Sequence, residues 1–256
     1  MSLNQIICGD CLQVMPSLPH ARLVIADPPD NTGVKYDGFE DKWPSDWHYR
    51  EWLTRVTLQA LAQWSHPDRK TDSFWLSYYW RHDFEFKSML FPTIKKFETA
   101  WDVKPYVWWY TFGQHQQKDN GSCFRPMLRF SKPDIEWNTN AVREPSARLR
   151  EYGDKRADPR GRVPGDVWDG VWQESRVCGS FKEKRKWHKN QHPEALLKRM
   201  VLMGTKPGDL VIDMFGGTFT MARVCKELGR DCISIEISEA YCKKGAEEMG
   251  CEVTYG

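Results

Sequence analysis

The chain has 256 residues, 40% of them hydrophobic and 28% charged, with a formal net charge of +2. This is the composition of a soluble globular protein with room for one large or two unequal domains; it excludes a disordered polyelectrolyte, and no apolar run is long enough for a helical membrane span. With so little net charge, any nucleic-acid footprint has to be local.

Asn4 to Asp10 is expected to form a first strand ending in Gly9-Asp10, followed by a short amphipathic helix over Cys11 to Leu18. Asp10 stands where it can cap that helix. Leu23-Val24-Ile25-Ala26 is a buried strand, too short and too β-branched for a helix, and Asp27-Pro28-Pro29-Asp30 ends it. Two prolines cannot continue a ladder, and they fix two φ angles, so the turn is stiff. It offers carbonyls and carboxylates but no proline N–H, which suits a ligand bringing its own N–H groups, such as an exocyclic amine.

Asn31 to Lys42 reads as a mobile loop over that site, with Tyr36 and Phe39 as its aromatics. A helix follows over Trp47 to Trp64, then a strand over Ser73 to Tyr79, and a helix over Phe84 to Phe97 interrupted near Phe91-Pro92. Pro105 to Phe112 is an aromatic-rich strand, Gln114 to Ser122 a polar loop, and Met127 to Ser131 a further strand. Alternation of strand and helix predicts an α/β fold, a doubly wound and mostly parallel sheet.

Asn138 to Lys189 breaks the rhythm, being rich in Gly, Pro and charge. Arg143, Arg148, Arg150, Lys155, Arg156, Arg160 and Arg162 form one basic cluster, and Lys182, Lys184, Arg185, Lys186 and Lys189 a second. Trp168, Trp172, Phe181 and Trp187 are interleaved. Cations with aromatics suit a phosphate backbone and unstacked bases, although the interspersed acids also fit a solvated face.

Asp209 to Asp213 is a second apolar strand, running through Met214-Phe215-Gly216-Gly217-Thr218-Phe219-Thr220 into a helix over Met221 to Leu228 and a strand over Asp231 to Glu236. Strand, glycine turn, helix, strand and terminal acid form a nucleotide-binding half of a doubly wound fold. The turn lacks the GxGxxG spacing of a nicotinamide site, and the Asp-Pro-Pro turn has no role in a dehydrogenase. The eight cysteines read as cytosolic free thiols. Cys8-x-x-Cys11 has no second pair and is taken as structural, so no metal is expected. The absence of a signal-peptide pattern predicts a cytoplasmic protein.

Taken together, Asp27-Pro28-Pro29 followed by Asp213-Met214-Phe215-Gly216-Gly217-Thr218 resembles the β-class DNA amino-methyltransferases, with the catalytic motif preceding the cofactor motif. Asn190 to Leu197, and Tyr152 to Ala157 through Arg162 to Trp168, resemble further segments of that class, so the resemblance spans nearly the whole chain. It implies a Rossmann-like methyltransferase fold of circularly permuted motif order. Residues 1–137 would be the catalytic half, 138–189 an inserted target-recognition region and 190–256 the cofactor half. It implies S-adenosylmethionine as cofactor, double-stranded DNA as partner, a homodimer or a cognate restriction enzyme as further partners, and no membrane. The reaction would be methylation of an exocyclic base amine, adenine N6 favoured over cytosine N4.

The resemblance assigns catalysis to the Asp27 carboxylate and the Pro28 carbonyl, within Asp27-Pro28-Pro29-Asp30. It places Asp10, Asp27, Asp213, Phe215, Gly216, Gly217, Thr218, Phe219, Thr220 and Glu236 around the cofactor, with Glu236 on the ribose. DNA contact is expected from Tyr36, Phe39, Arg143, Arg148, Arg156, Arg160, Arg162, Lys184 and Arg185. Two residues depart from the pattern. Asp30 stands where the class has an aromatic that stacks on the flipped base, and puts a second carboxylate near Asp27. Phe219 stands where a small residue, normally glycine, is usual, and is expected to narrow the cofactor pocket. The two departures also fit a degenerate DNA-binding protein without catalysis.

Overall fold

The computed structural model describes residues 4–64, 73–96, 101–114, 117–133, 135–168, 176–178 and 180–256. β1 (Asn4–Cys8) leads through Asp10, whose carboxylate accepts the Leu12 amide at 2.9 Å, into α1 (Cys11–Val14) and a 3-10 turn over Met15–Ser17. β2 (Leu23–Ala26) carries the Asp-Pro-Pro turn. The expected loop is a small hairpin, β3 (Lys35–Tyr36) and β4 (Phe39–Glu40), which turns at Gly38 with a φ of 71°. Next come α2 (Asp46–Trp64), β5 (Ser73–Ser77) and α3 (Asp83–Lys96). The helix α3 runs through Pro92 without the expected interruption. Pro92 and Ser88, the residue one turn back whose carbonyl loses its partner, are both exposed, so that carbonyl is not left without a partner in the core.

β6 (Asp102–Gln114) and β7 (Ser122–Ser131) form a long hairpin; both exceed their predicted lengths because cross-strand pairing carries the ladder beyond the apolar runs. The short α4 (Ala147–Arg150) and β8 (Val167–Trp168) follow, then α5 (Glu194–Gly204), β9 (Leu210–Asp213), α6 (Thr220–Leu228), β10 (Asp231–Glu236), α7 (Glu239–Met249) and β11 (Val253–Tyr255).

The strands form a nine-stranded sheet in the order β11-β1-β10-β9-β2-β5-β7-β6-β8. Among the described strands of this sheet, only β7 runs antiparallel to its neighbours. Central parallel strands are covered on both faces, so β2 is apolar throughout rather than alternating. Val24 and Ala26 pack with α1, α2 and α3 on one face; Leu23 and Ile25 pack with residues of α5 and α6 on the other. β2 and β9 are adjacent, with Leu23 opposite Val211 and Ile25 opposite Asp213. From β9 the chain crosses through α6 to β10 on one side, and from β2 through α2 to β5 on the other. Ligands of doubly wound sheets bind where the winding reverses in this way, at the strands' carboxyl ends.

Trp168, expected among the DNA-facing aromatics, is instead core. It is 1% exposed, packs on Trp75 and Tyr106 with ring centroids 5.3 and 5.5 Å away, and carries the Arg199 guanidinium 4.2 Å above its ring. An indole at the sheet edge finds more contact area under α5 than outside. Trp172 lies outside the described residues. Trp168→Ala is expected to cost about 3–5 kcal/mol of folding stability, read by urea denaturation.

Candidate active site

The carboxyl ends of β2 and β9 open into a continuous cleft of about 670 Å³. Met214 N–H donates to the Ile25 carbonyl at 2.9 Å and Gly216 N–H to the Ile235 carbonyl at 2.7 Å, so the turns after β2, β9 and β10 are held together. Asp27, Pro28, Pro29 and Asp30 line one end; Asp10, Asp213, Phe215, Gly216, Gly217, Thr218, Thr220 and Glu236 line the other.

At the first end, Asp27 Oδ1 accepts from Ser77 Oγ at 2.7 Å and from an Arg125 terminal nitrogen at 2.8 Å. Its Oδ2 lies 3.2 Å from His192 Nε2. Burial works against the Asp27 charge, but His192, Arg125 and Ser77 outweigh it and hold the carboxyl below its ordinary range. Burial pulls the His192 imidazole below its ordinary value, against the pull of the Asp27 charge. Asp30 is no bare second carboxylate: Arg125 forks onto it with two hydrogen bonds of 2.8 Å, and the Arg125 Nε donates to Ser77 Oγ at 2.7 Å. Burial still pushes the Asp30 carboxyl up, against Arg125. The turn itself is stiffened from outside. Tyr49 Oη donates to the Pro29 carbonyl at 2.9 Å, and the buried Asp41 carboxylate accepts the Asp30, Asn31 and Thr32 amides at 3.3, 2.6 and 3.0 Å.

At the second end, Glu236 accepts the Gly217 amide at 2.8 Å and the Ser238 amide at 2.9 Å, which leaves acceptor capacity directed at the cleft. Burial pushes the Asp213 carboxyl up to about 7 against the Phe215 amide that it accepts, and the Asp27 and Glu236 charges add to the rise. Asp10 both caps α1 and lines the cleft.

Phe219 does not narrow this end. It takes a left-handed φ of 54°, the backbone conformation that explains why glycine is usual there, and its ring is 1% exposed and absent from the cleft wall. The ring fills the space beside Gly216 and Gly245, where an added Cβ would collide with it. Gly245→Ala is therefore expected to destabilise the fold by about 1–3 kcal/mol, measured as a lower melting temperature.

The hairpin β3–β4 folds down across the cleft. Tyr36 stacks on His188 at 5.3 Å and accepts from Asn190 Nδ2 at 2.8 Å, while Asp37 accepts from Ser238 Oγ at 3.0 Å. Tyr36, Phe39 and Lys184 line the cleft; Arg143, Arg148, Arg156, Arg160, Arg162 and Arg185 do not. Each of these arginines is paired with an acid: Arg148 and Arg156 with Asp154, Arg143 and Arg160 with Asp158, Arg162 with Glu144, Arg185 with Glu248. The side chains of Arg148, Arg156, Arg160 and Arg162 remain more than half exposed.

Residues the sequence reading did not single out complete the site: Ser77, Arg125 and the cleft aromatics Tyr79, Trp80, Trp108 and Tyr110, with His192 known only as part of a motif. Arg125 did carry a signal, since it shares a strand face with Met127 and Arg129, and a charge on the inward face of a strand needs a partner.

Residues 21–248 match the family model of the N6/N4 DNA methylases (N6_N4_Mtase, described as DNA methylase). The chain belongs to the N6/N4 DNA methylase family. Within this family it is 31% identical to the DNA adenine methyltransferase YhdJ of Escherichia coli (strain K12), over 95% of this chain and 82% of that protein. It is 26% identical to the type II methyltransferase M.HpaI of Haemophilus parainfluenzae, over 97% of this chain and 75% of that one. Among solved structures, the fold of this N6/N4 methylase is like that of the PvuII DNA methyltransferase (cytosine-N4-specific), with a TM-score of 0.67 at 16% identity over 96% of this chain and 86% of that one. It is also like M1.HpyAVI in complex with SAM, with a TM-score of 0.60 at 18% identity over 96% and 100% of the two chains.

Proposed function

We propose that the chain transfers the methyl group of S-adenosylmethionine to the N6 amine of an adenine flipped out of duplex DNA. The observation that carries this reading is a single cleft holding an amine-accepting turn at one end and a glycine turn with two carboxylates, Asp213 and Glu236, at the other. The second end fits the cofactor: the buried Asp213 and the half-buried Glu236 are acceptors that bond backbone amides there, suited to an ammonium and to ribose hydroxyls, and the ring of Phe219 is out of the way. When bound, S-adenosylmethionine supplies a methyl group on an already activated leaving group, so the protein need add little acid–base chemistry.

The difficulty lies with the amine, whose lone pair is delocalised into the base. Asp27 and the Pro28 carbonyl accept the amine hydrogens, which draws the nitrogen towards a tetrahedral shape and frees that lone pair. As positive charge develops on nitrogen, the Asp27 carboxylate stabilises it more than it stabilises the ground state. The rigid turn holds these acceptors in place before the base arrives. Extrusion of the base costs a few kcal/mol, and stacking on aromatics of the cleft wall would return part of that. The exposed arginines of residues 148–162 would exchange their carboxylate partners for phosphates.

Adenine is preferred because the motif begins with Asp27 and because a relative matched over nearly the whole chain is named a DNA adenine methyltransferase. The type II relatives support a restriction–modification setting, and action on DNA suits the cytoplasm. Labelled methyl transfer to mixed-sequence duplex DNA, followed by nucleoside mass spectrometry, tests the reading. N6-methyladenine is expected; N4-methylcytosine would move the target, and binding of DNA with no transfer would favour the degenerate DNA-binding alternative.

A further inference from the structure

Asp27 brings one negative charge to a reaction that develops positive charge on the amine, yet a guanidinium stands 2.8 Å away from it. A guanidinium beside a lone carboxylate takes both oxygens in a fork and cancels its charge. Here the fork points elsewhere. Both terminal nitrogens of Arg125 donate to Asp30 at 2.8 Å, its Nε donates to Ser77, and Asp27 receives one shared contact on Oδ1. The oxygen Oδ2 of Asp27 lies 3.2 Å from His192 Nε2, and 30% of the Asp27 side chain is open to solvent. Asp30 is held at its post by the turn, since Asp41 caps its amide and those of the next two residues. The three charged groups together carry one negative charge, as an isolated Asp27 would.

We propose that Asp30 is a positioning residue for methyl transfer: it draws off the Arg125 guanidinium, so that Arg125 orients Asp27 through Oδ1 while the site keeps one uncompensated negative charge for the amine. This rests on the methyltransferase reading of the same cleft. Position 30 then works through charge where related enzymes use a π face, and Asp30 and Arg125 form one functional unit.

Asp30→Asn leaves Arg125 facing Asp27 alone. The expected result is a fall in kcat of about 100-fold, with the dissociation constant for S-adenosylmethionine changed by less than about threefold. The double variant D30N/R125Q removes the opposing charges as a pair and is expected to regain at least about tenfold of that loss, a rescue that a merely structural role would not produce. An Asp30→Asn kcat within about threefold of the parent, or a double variant no faster than D30N, overturns the proposal. A second measurement needs no substrate: the carboxyl carbon of Asp27, followed by NMR as pH falls, is expected to titrate at lower pH in D30N than in the parent, because Arg125 is no longer shared. An unmoved titration overturns the proposal. Failure of the parent protein to methylate DNA would count against the methyltransferase reading, and the NMR titration would still decide the role of Asp30.

Discussion

Asp27→Ala is expected to lower the single-turnover rate of methyl transfer by about 1,000-fold or more, while S-adenosylmethionine affinity changes only several-fold. The loss is larger than that of an ordinary hydrogen-bond acceptor. Without the carboxylate, the Arg125 guanidinium remains 2.8 Å from the vacated oxygen position and presents a hydrogen where, on the proposed reading, the amine needs an acceptor. The site would turn from favouring positive charge on nitrogen to opposing it. Asp27→Asn keeps one acceptor oxygen and the shape of the turn, so its loss should be smaller, about 100-fold. Rapid-quench transfer of labelled methyl, with calorimetry of cofactor binding on the same preparations, separates the two effects. Equal losses in affinity and in rate would place Asp27 in cofactor binding and not in the chemistry.

The second large effect concerns Asp213. Its carboxyl titrates at about 7 in the folded chain against an ordinary value of 3.8, chiefly because it is buried. Between those two pH values the folded state binds a proton that the unfolded state does not, so stability contributed at this position falls as pH rises from about 4 to about 7. By proton linkage the penalty at pH 8 amounts to about 4 kcal/mol. A bound ammonium beside Asp213 reverses the preference by favouring the carboxylate. S-adenosylmethionine should therefore bind more tightly at pH 8 than at pH 6, and binding at pH 6 should release close to one proton. Calorimetry in buffers of different ionisation enthalpy counts that proton. Asp213→Asn should abolish the release, weaken binding at pH 8 and raise stability there by up to the same 4 kcal/mol. Proton release that survives the substitution would assign it to another group.

The motifs made much of this architecture legible. Leu23 to Ala26 and Leu210 to Asp213 read as buried strands because both lie at the centre of a sheet covered on two faces, where sequence and burial agree. The carboxylates at their ends, with Glu236, fell where the sequence puts them because parallel strands end at one edge. What stayed hidden depended on distance along the chain. Arg125 is 95 residues from Asp30 and 98 from Asp27, in a part of β7 ahead of the apolar run at Met127 that shows itself as strand only where β6 pairs with it. Asp41 looked like one acid in a polar loop, although its carboxylate shapes the Asp30 turn. Phe219 looked like an obstruction because sequence alone does not reveal that Gly245, from a helix that the sequence reading did not reach, leaves a recess for its ring. The arginines of 143–162 looked free because their acids, Asp154, Asp158 and Glu144, were counted as background.

One feature of the sheet bears on how the protein is made. β1 is flanked by β10 and β11, both made long after it, and β2 pairs with β9 nearly 190 residues later in the chain. Synthesis therefore reaches Tyr255 before Asn4–Cys8 can gain both its neighbours. Until then the apolar edges of β1 and β2 stand open to wrong partners, a stretch of translation in which chaperones have most to protect. A nascent chain also cannot assemble the cleft early, so modification of DNA would begin only once translation of the sheet is finished.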